Sequence, residues 1–196
     1  MRILSIRRLF SSDHSSTTYY FVSTKHLSRE ERAMVNSLTT QARVQGDQIS
    51  LTYDGEWSDL GRGREKEFLN YFDVEVVEDY DWWSLTVIFR DNAEIAEKIS
   101  DFETEGGEAY LEVEMEDEDT VLSFHGALLD YGACHPDDPF DLMAEIGVEM
   151  REEILAGQYA GLEVLKTYCE ENKVTAPVGE KHTYSSERLV QILTLI

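Results

Sequence analysis

The sequence predicts an α+β protein with one mostly antiparallel sheet, helices packed on one face of it, and a helical C-terminal third. Three observations support this class. Strand-like and helix-like segments mix up to residue 126, two of the strand-like segments face each other across a polar turn, and residues 138–196 show helical periodicity throughout. We expect a basic segment and polar connector at 1–18, followed by a single domain at 19–196 that is strand-rich over 19–126 and helical over 138–196.

The first elements follow from local residue preferences. Tyr19–Thr24 is aromatic and β-branched, which favours a strand, and the S-R-E-E sequence at Ser28 is the capping-box pattern that opens a helix over 28–38. Gln48–Tyr53 alternates apolar side chains on one face and predicts a second strand. A loop with several glycine and aspartate residues then leads to a short helix ending at Phe72.

The middle of the chain predicts the centre of the sheet and a hairpin. Asp73–Asp79 alternates in part, while Trp82–Phe89 is apolar on both faces, as expected for a central strand. Because strand neighbours point to opposite faces, one of the two adjacent tryptophans at the start of that strand must face the core. Asn92 is placed to cap the next helix. Ala109–Glu116 and Thr120–Gly126 then face each other across an Asp-Glu-Asp turn, which indicates a β-hairpin.

The remaining elements are predicted to be helices. Asp138 precedes Pro139, a capping residue followed by the proline that suits the first helical position. Apolar residues then recur at three- and four-residue spacing as far as Leu155, and a second apolar stripe extends to Cys169. A last helix is expected over Ser186–Ile196.

The charge of the chain narrows the possible partners. Forty acidic residues stand against seventeen basic ones, a formal net charge of −23, and residues 73–119 hold eighteen acids and two bases, a net of −16. Such a surface repels phosphate backbones and anionic lipid, so we expect no direct nucleic-acid binding and no membrane binding. It favours cationic partners, namely a basic protein surface such as that of a nucleic-acid-binding protein, a divalent cation or a polyamine. The alternative is a solvated surface or a salt-adapted composition.

Composition also bounds the class and the compartment. With 42% hydrophobic residues the chain can bury an ordinary core, which excludes a wholly disordered acidic protein. No apolar run approaches the length of a membrane span. Two cysteines far apart, together with an N-terminus unlike a signal peptide, predict free thiols in a reducing cytoplasm. We expect no cofactor.

Some segments resemble landmarks of an uncharacterised bacterial protein family. The RxxGDxxxLxYD stretch beginning at Arg43, the Tyr71-Phe72-Asp73 stretch, and the R-x-E-I-L-x-G stretch from Arg151 to Gly157 occur in the same order as in that family. Gln158 replaces the acid that follows the glycine in the family pattern. The resemblance implies no activity, because the family has none assigned.

One cluster has the composition of a reactive site. His125, Asp130, Cys134, His135 and Asp137 lie close together in sequence. A Cys–His pair oriented by an acid, here Cys134, His135 and Asp130, is the arrangement of a nucleophilic enzyme. His125, Cys134, His135 and Asp137 offer metal ligands instead. A small Cys/His-dependent or metal-assisted enzyme is therefore the alternative function, and a plain loop before the next helix is the alternative structure.

The predicted hairpin carries a row of acids. Glu112, Glu114 and Glu116 share one strand face, which Ser123 and His125 on the partner strand can also share. The predicted binding residues are the acids of this strand and of the turn: Glu112, Glu114, Glu116, Asp117, Glu118 and Asp119. We therefore predict a non-enzymatic acidic protein that binds a basic face of a partner, as an inhibitor, an immunity-type protein or a subunit of a larger complex. Alternatively, the row is the solvated face of an edge hairpin.

The acids of the C-terminal helices are expected to have a different role. Glu145, Glu149, Glu152 and Glu153 are spread around one helix with Arg151 among them. We expect them to face solvent.

Overall fold

A computed structural model describes residues 16–54, 60, 62–79, 82–127, 139–174 and 182–193. Within these residues six antiparallel strands form one sheet in the order β2-β1-β3-β4-β6-β5, and the C-terminal part is helical, so the predicted α+β class is confirmed. The strands are β1 Ser16–Val22, β2 Gln48–Asp54, β3 Val74–Asp79, β4 Trp82–Phe89, β5 Ala109–Glu116 and β6 Asp119–Ala127. The helices are α1 Arg29–Leu38, α2 Arg62–Leu69, α3 Glu94–Ile99, α4 Pro139–Leu155, α5 Ala160–Glu171 and α6 Tyr184–Leu193.

The two faces of the sheet are covered differently. The larger core packs α3, α4, α5 and α6 on the face that carries Val76, Leu85 and Phe124. Helices α1 and α2 lie on the opposite face, over β1 and β2, where Phe21 stacks on Phe68 with ring centroids 5.0 Å apart. Helices α3–α6 thus pack on one face of the sheet, as predicted. Helices α1 and α2 cover part of the opposite face, which the prediction did not include.

Local sequence signals account for most element boundaries. The capping box opens α1, because the Glu31 amide donates to the Ser28 hydroxyl and the Ser28 amide donates to the Glu31 carboxylate. The expectation for Asn92 is wrong, since α3 has no side-chain cap and Asn92 instead accepts a hydrogen bond at its carbonyl from the Thr120 hydroxyl. Strand β1 begins at Ser16, inside the segment predicted to be a connector.

The two adjacent tryptophans separate as expected for a strand. Trp83 is 2% exposed and packs against Phe124, whereas Trp82 is 46% exposed on the opposite face. The predicted hairpin is also present, with Glu116 opposite Asp119 at the turn.

Three of the acids of α4 have a structural role that the sequence did not predict. Arg188 of α6, itself buried, donates to Glu149 at 2.5 Å and to Glu145 at 2.8 Å. The Glu153 carboxylate accepts from the Ser185 backbone amide at 3.1 Å. Glu145, Glu149 and Glu153 thus hold α6 against α4. The expectation that the acids of α4 face solvent is wrong for Glu149 and Glu153, which are partly buried. It holds for Glu145 and Glu152, which are exposed, and Glu152 pairs with Arg151.

Candidate functional site

Half of one sheet face is not covered by any helix among the described residues. We call this half the open face; it consists of the outward side chains of β4, β6 and β5 together with Glu75 of β3. Strand register places Glu75, Thr86, Ser123 and Glu112 in one row across these four strands. This row is therefore polar from the centre of the sheet to its edge.

A second row runs beside the first. Ser84, His125 and Tyr110 are register neighbours, and the Tyr110 and His125 rings stack with centroids 4.5 Å apart. Burial lowers the pKa of His125, so its imidazole is neutral at pH 7. The prediction that Ser123 and His125 share the face of the acidic row is confirmed.

A groove of about 480 Å³ separates α2 from the open face. Its lining combines side chains of α2 with those of the central strands. The charged residues among them are Glu65, Lys66, Glu67, Glu75, Arg90, Glu116 and Asp119, to which His125 adds an imidazole. Five carboxyl groups thus face two basic side chains.

Glu75 is the unusual member of this groove. Its side chain belongs to a residue only 2% exposed, and its Oε1 atom has no hydrogen-bond partner within the part of the chain that the structure describes. Burial raises the pKa of Glu75 well above the ordinary value of 4.5, and the nearby Glu65 raises it further. A buried carboxyl with an unsatisfied oxygen destabilises a fold, so its presence calls for an explanation.

The two basic side chains of the groove bind groups other than Glu75. Arg90 donates to Asp73 at 3.2 Å, to Asp119 at 3.4 Å and to the Phe72 carbonyl at 2.8 Å, and it also donates to the Leu69 carbonyl. This guanidinium fastens the end of α2 to the sheet.

Lys66 reaches across the groove rather than into it. Its ammonium lies 2.9 Å from the carboxylate of Glu116 at the edge of the open face. Both groups are more than half exposed, which makes the pair a weak surface ion pair. Neither Lys66 nor Arg90 forms an ion pair with Glu75.

The acidic row divides into exposed and engaged members. Glu112 and Glu114 are exposed on β5, and so are Asp117 and Glu118 at the turn. Glu116 pairs with Lys66 as described. Asp119 is half-buried, and it accepts from Arg90 and from the Asp91 amide. Among the described residues, Glu112 and Glu114 are the acids of the strand that form no ion pair or hydrogen bond, although Glu114 lies near enough to Lys66 to help raise the pKa of that ammonium group.

The edge of β5 is partly occupied by the preceding loop. The Leu111 amide donates to the Thr104 hydroxyl at 2.8 Å, and the Val113 amide donates to the Glu103 carboxylate at 3.2 Å. Addition of a further strand at this edge would break both hydrogen bonds. The face of the hairpin, rather than its backbone edge, is therefore the accessible surface.

A second, larger groove is lined by residues different from those of the groove beside α2. It has a volume of about 800 Å³ and lies between residues 41–45 beside β2 and helix α4. Its acids Glu145 and Glu149 both pair with Arg188. Oε2 of Glu149 also has no hydrogen-bond partner among the described residues, but this carboxylate is ion-paired with Arg188, whereas Glu75 forms no ion pair in the described part of the chain. We therefore place the functional site in the smaller groove and the open face.

The residues of the Cys/His hypothesis fall mostly outside the described residues. These are Asp130, Cys134, His135 and Asp137, and only His125 of that set can be placed. In the described ranges no three His, Cys, Asp or Glu side chains lie close enough together to hold a metal ion. Cys169 is described, and burial raises the pKa of its thiol to about 11, which leaves little reactive thiolate at pH 7.

The family landmarks that the structure describes have structural roles. Asp73 is buried and accepts from the Thr24 amide, the Thr24 hydroxyl and Arg90. Arg151 donates to the Ile88 carbonyl at 2.9 Å, and Gly157 has a φ of 76°, which suits glycine after a helix.

Glu75 was not predicted from the sequence as a site residue, although a signal was available. It stands between Val74 and Val76 in a predicted strand. A carboxylate within an apolar stretch of that kind must either reach a surface or be buried at a cost.

No family model, curated protein or solved structure matches this chain. The resemblance to a bacterial family therefore stays a prediction. Among the described helices, none combines the length and the apolar character needed to cross a membrane.

Proposed function

We propose that this protein is a non-enzymatic acidic binding protein whose open face occupies a basic surface of a partner protein. The observation that carries the proposal is the exposure of Glu112 and Glu114 on a sheet face that the described helices leave uncovered, beside a groove with an excess of carboxyl groups. An inhibitor, an immunity-type protein and a subunit of a larger complex all use this kind of surface.

The spacing of the row favours a particular form of partner. Residues two apart on a strand are separated by about 6.6 Å, and their side chains point the same way. Glu112 and Glu114 can therefore meet two basic side chains that are spaced alike, as in an extended segment with alternate lysines. Attraction between such charges speeds association and weakens with salt.

Binding of a short peptide in which lysine and serine alternate tests this proposal. We expect the wild type to bind it at low ionic strength and the Glu112→Lys/Glu114→Lys variant to bind it at least about tenfold more weakly, which corresponds to about 1.4 kcal/mol. Isothermal titration calorimetry at low and moderate salt gives both affinities.

The matched control reverses two exposed acids far from the open face. The Glu97→Lys/Glu171→Lys variant has the same change in net charge and alters α3 and α5, where both residues are exposed. We expect it to retain nearly all of the peptide affinity. An equal loss in both variants would show that net charge alone is responsible, and the proposal would be rejected. Absence of wild-type binding at low salt would also reject it.

A further inference from the structure

We propose that the groove beside α2 receives one primary ammonium group, supplied by a lysine side chain of the basic partner, with Glu75 as the carboxyl group that meets it. This inference rests on the proposed function, because it names how one residue of that partner is recognised. The surfaces involved are distinct: the acidic row on β5 meets the partner at the edge of the sheet, whereas Glu75 lies on β3 at the centre of the sheet.

The first argument is the missing partner of Glu75. Buried charged groups are normally paired, since an unpaired carboxylate loses its hydration without compensation. The two basic side chains in the groove are held by Glu116 and by Asp73 and Asp119. A cation supplied from outside would give Oε1 of Glu75 the hydrogen bond that it lacks.

The charge of the groove selects the sign of the ligand. Five carboxyl groups and two basic side chains line it, and the two basic side chains already form ion pairs. An anionic ligand would meet repulsion from Glu65 and Glu67 on α2 as well as from the open face. The ligand is therefore a cation.

The donor and acceptor groups select an ammonium group over a metal ion. A bound Ca²⁺ or Mg²⁺ requires several oxygen ligands that converge, and the described part of the chain has no convergent group of three acids or histidines. Beside Glu75 stand hydroxyl groups, with Thr86 Oγ1 and Ser123 Oγ 3.5 Å apart. One carboxyl and two hydroxyl groups suit the three donors of an ammonium group.

The apolar part of the lining suits the stem of a lysine. Leu69 of α2, Ile88 of β4 and Val121 of β6 line the same groove. A lysine side chain buries its methylene groups against such residues while its ammonium group makes the polar contacts. The combination of an apolar wall and a carboxyl at the floor is the complement of that side chain.

Titration with a single amino-acid derivative tests the inference separately from binding at the acidic row on β5. The probe is N-acetyl-lysine amide, followed by the amide NMR signals of Thr86, Ser123 and His125. We expect saturable shifts in the wild type, at least about tenfold weaker binding in Glu75→Gln, and unchanged binding in the remote Glu97→Gln control. The nearly isosteric glutamine keeps the fold, which the spectrum of Glu75→Gln itself reports.

N-acetyl-norleucine amide, which lacks the ammonium group, should not shift the amide NMR signals of Thr86, Ser123 and His125. Equal binding of N-acetyl-lysine amide to the wild type and Glu75→Gln would overturn the inference, as would shifts caused by the norleucine compound. Those outcomes would not affect the proposed function if binding of the alternating lysine peptide still depends on Glu112 and Glu114. Loss of that dependence would reject the proposed function whatever the NMR titration shows.

Discussion

Replacement of Arg188 by leucine is expected to lower the free energy of unfolding by about 3 kcal/mol. Arg188 is 3% exposed and is the shared partner of Glu145 and Glu149. Its removal leaves two carboxylates facing each other where α4 packs on α6, and burial already raises the pKa of Glu149. The figure lies at the low end of the range for buried ion pairs because Glu145 is more than half exposed.

Urea unfolding followed by circular dichroism gives the free energy change directly. The control is Arg29→Leu, which removes the same charge from an exposed position in α1. It should change stability by no more than about 0.5 kcal/mol. Equal stability of Arg188→Leu and the wild type would show that α6 is not held by this ion pair.

Replacement of Glu75 by leucine is expected to change the free energy of unfolding in the opposite direction. We expect the free energy of unfolding to rise by about 1–3 kcal/mol at pH 7, because the substitution removes a buried carboxyl whose Oε1 has no partner in the described structure. The leucine can pack beside Phe21, its register neighbour in β1. A lower stability in Glu75→Leu would contradict the view that this carboxyl destabilises the fold.

The gain from this substitution should depend on pH. Since the pKa of Glu75 is raised in the folded state, the folded protein binds more protons than the unfolded chain above about pH 4.5, and the wild type loses stability as pH increases toward the folded-state pKa. The difference between Glu75→Leu and the wild type should therefore be larger at pH 7 than at pH 4.5. Its slope is at most about 1.4 kcal/mol per pH unit.

Other groups facing Glu75 remain in both proteins, so the difference reports mainly on Glu75. They are Glu65, Glu67 and Lys66 of α2, Arg90 after β4, Asp119 and His125 of β6, and Glu112 and Glu116 of β5. Urea unfolding at several pH values measures the difference. A difference that stays constant with pH would show that the pKa of Glu75 is not raised.

The two substitutions distinguish a charged residue that stabilises the fold from one whose proposed role is binding. Arg188 is buried and ion-paired, and we expect it to stabilise the packing of helices. Glu75 is buried with no ion pair in the described part of the chain, and we expect it to destabilise the sheet. Proteins retain destabilising polar groups where binding or catalysis needs them. This contrast supports a role for the groove that packing does not supply.

The hairpin and its acidic face were predictable because they depend on local sequence. Ala109–Glu116 alternates acids with apolar residues, and this alternation fixes which side chains share a face once the strand forms. The short polar turn fixes the partner strand and its register. The position of Ser123 and His125 beside the row followed from the same alternation.

The groove was not predictable because it depends on strand order. Strand β3 lies between β1 and β4, so Glu75 has one neighbour in the next strand along the chain and another, Phe21, in the distant strand β1. Periodicity within one segment gives no information on that arrangement. The same holds for Arg188, whose partners Glu149 and Glu145 lie 39 and 43 residues away in sequence.

Unfolding of the wild type and Glu75→Leu with and without the alternating lysine peptide tests most directly whether Glu75 destabilises the fold in order to bind a lysine of the partner. A ligand that binds only the folded state stabilises it by an amount that grows with the logarithm of the ratio of ligand concentration to dissociation constant. We predict that Glu75→Leu is the more stable protein without peptide, and that saturating peptide stabilises the wild type by at least about 1 kcal/mol more than it stabilises Glu75→Leu. Equal stabilisation of both proteins by the peptide, or of neither, would contradict this.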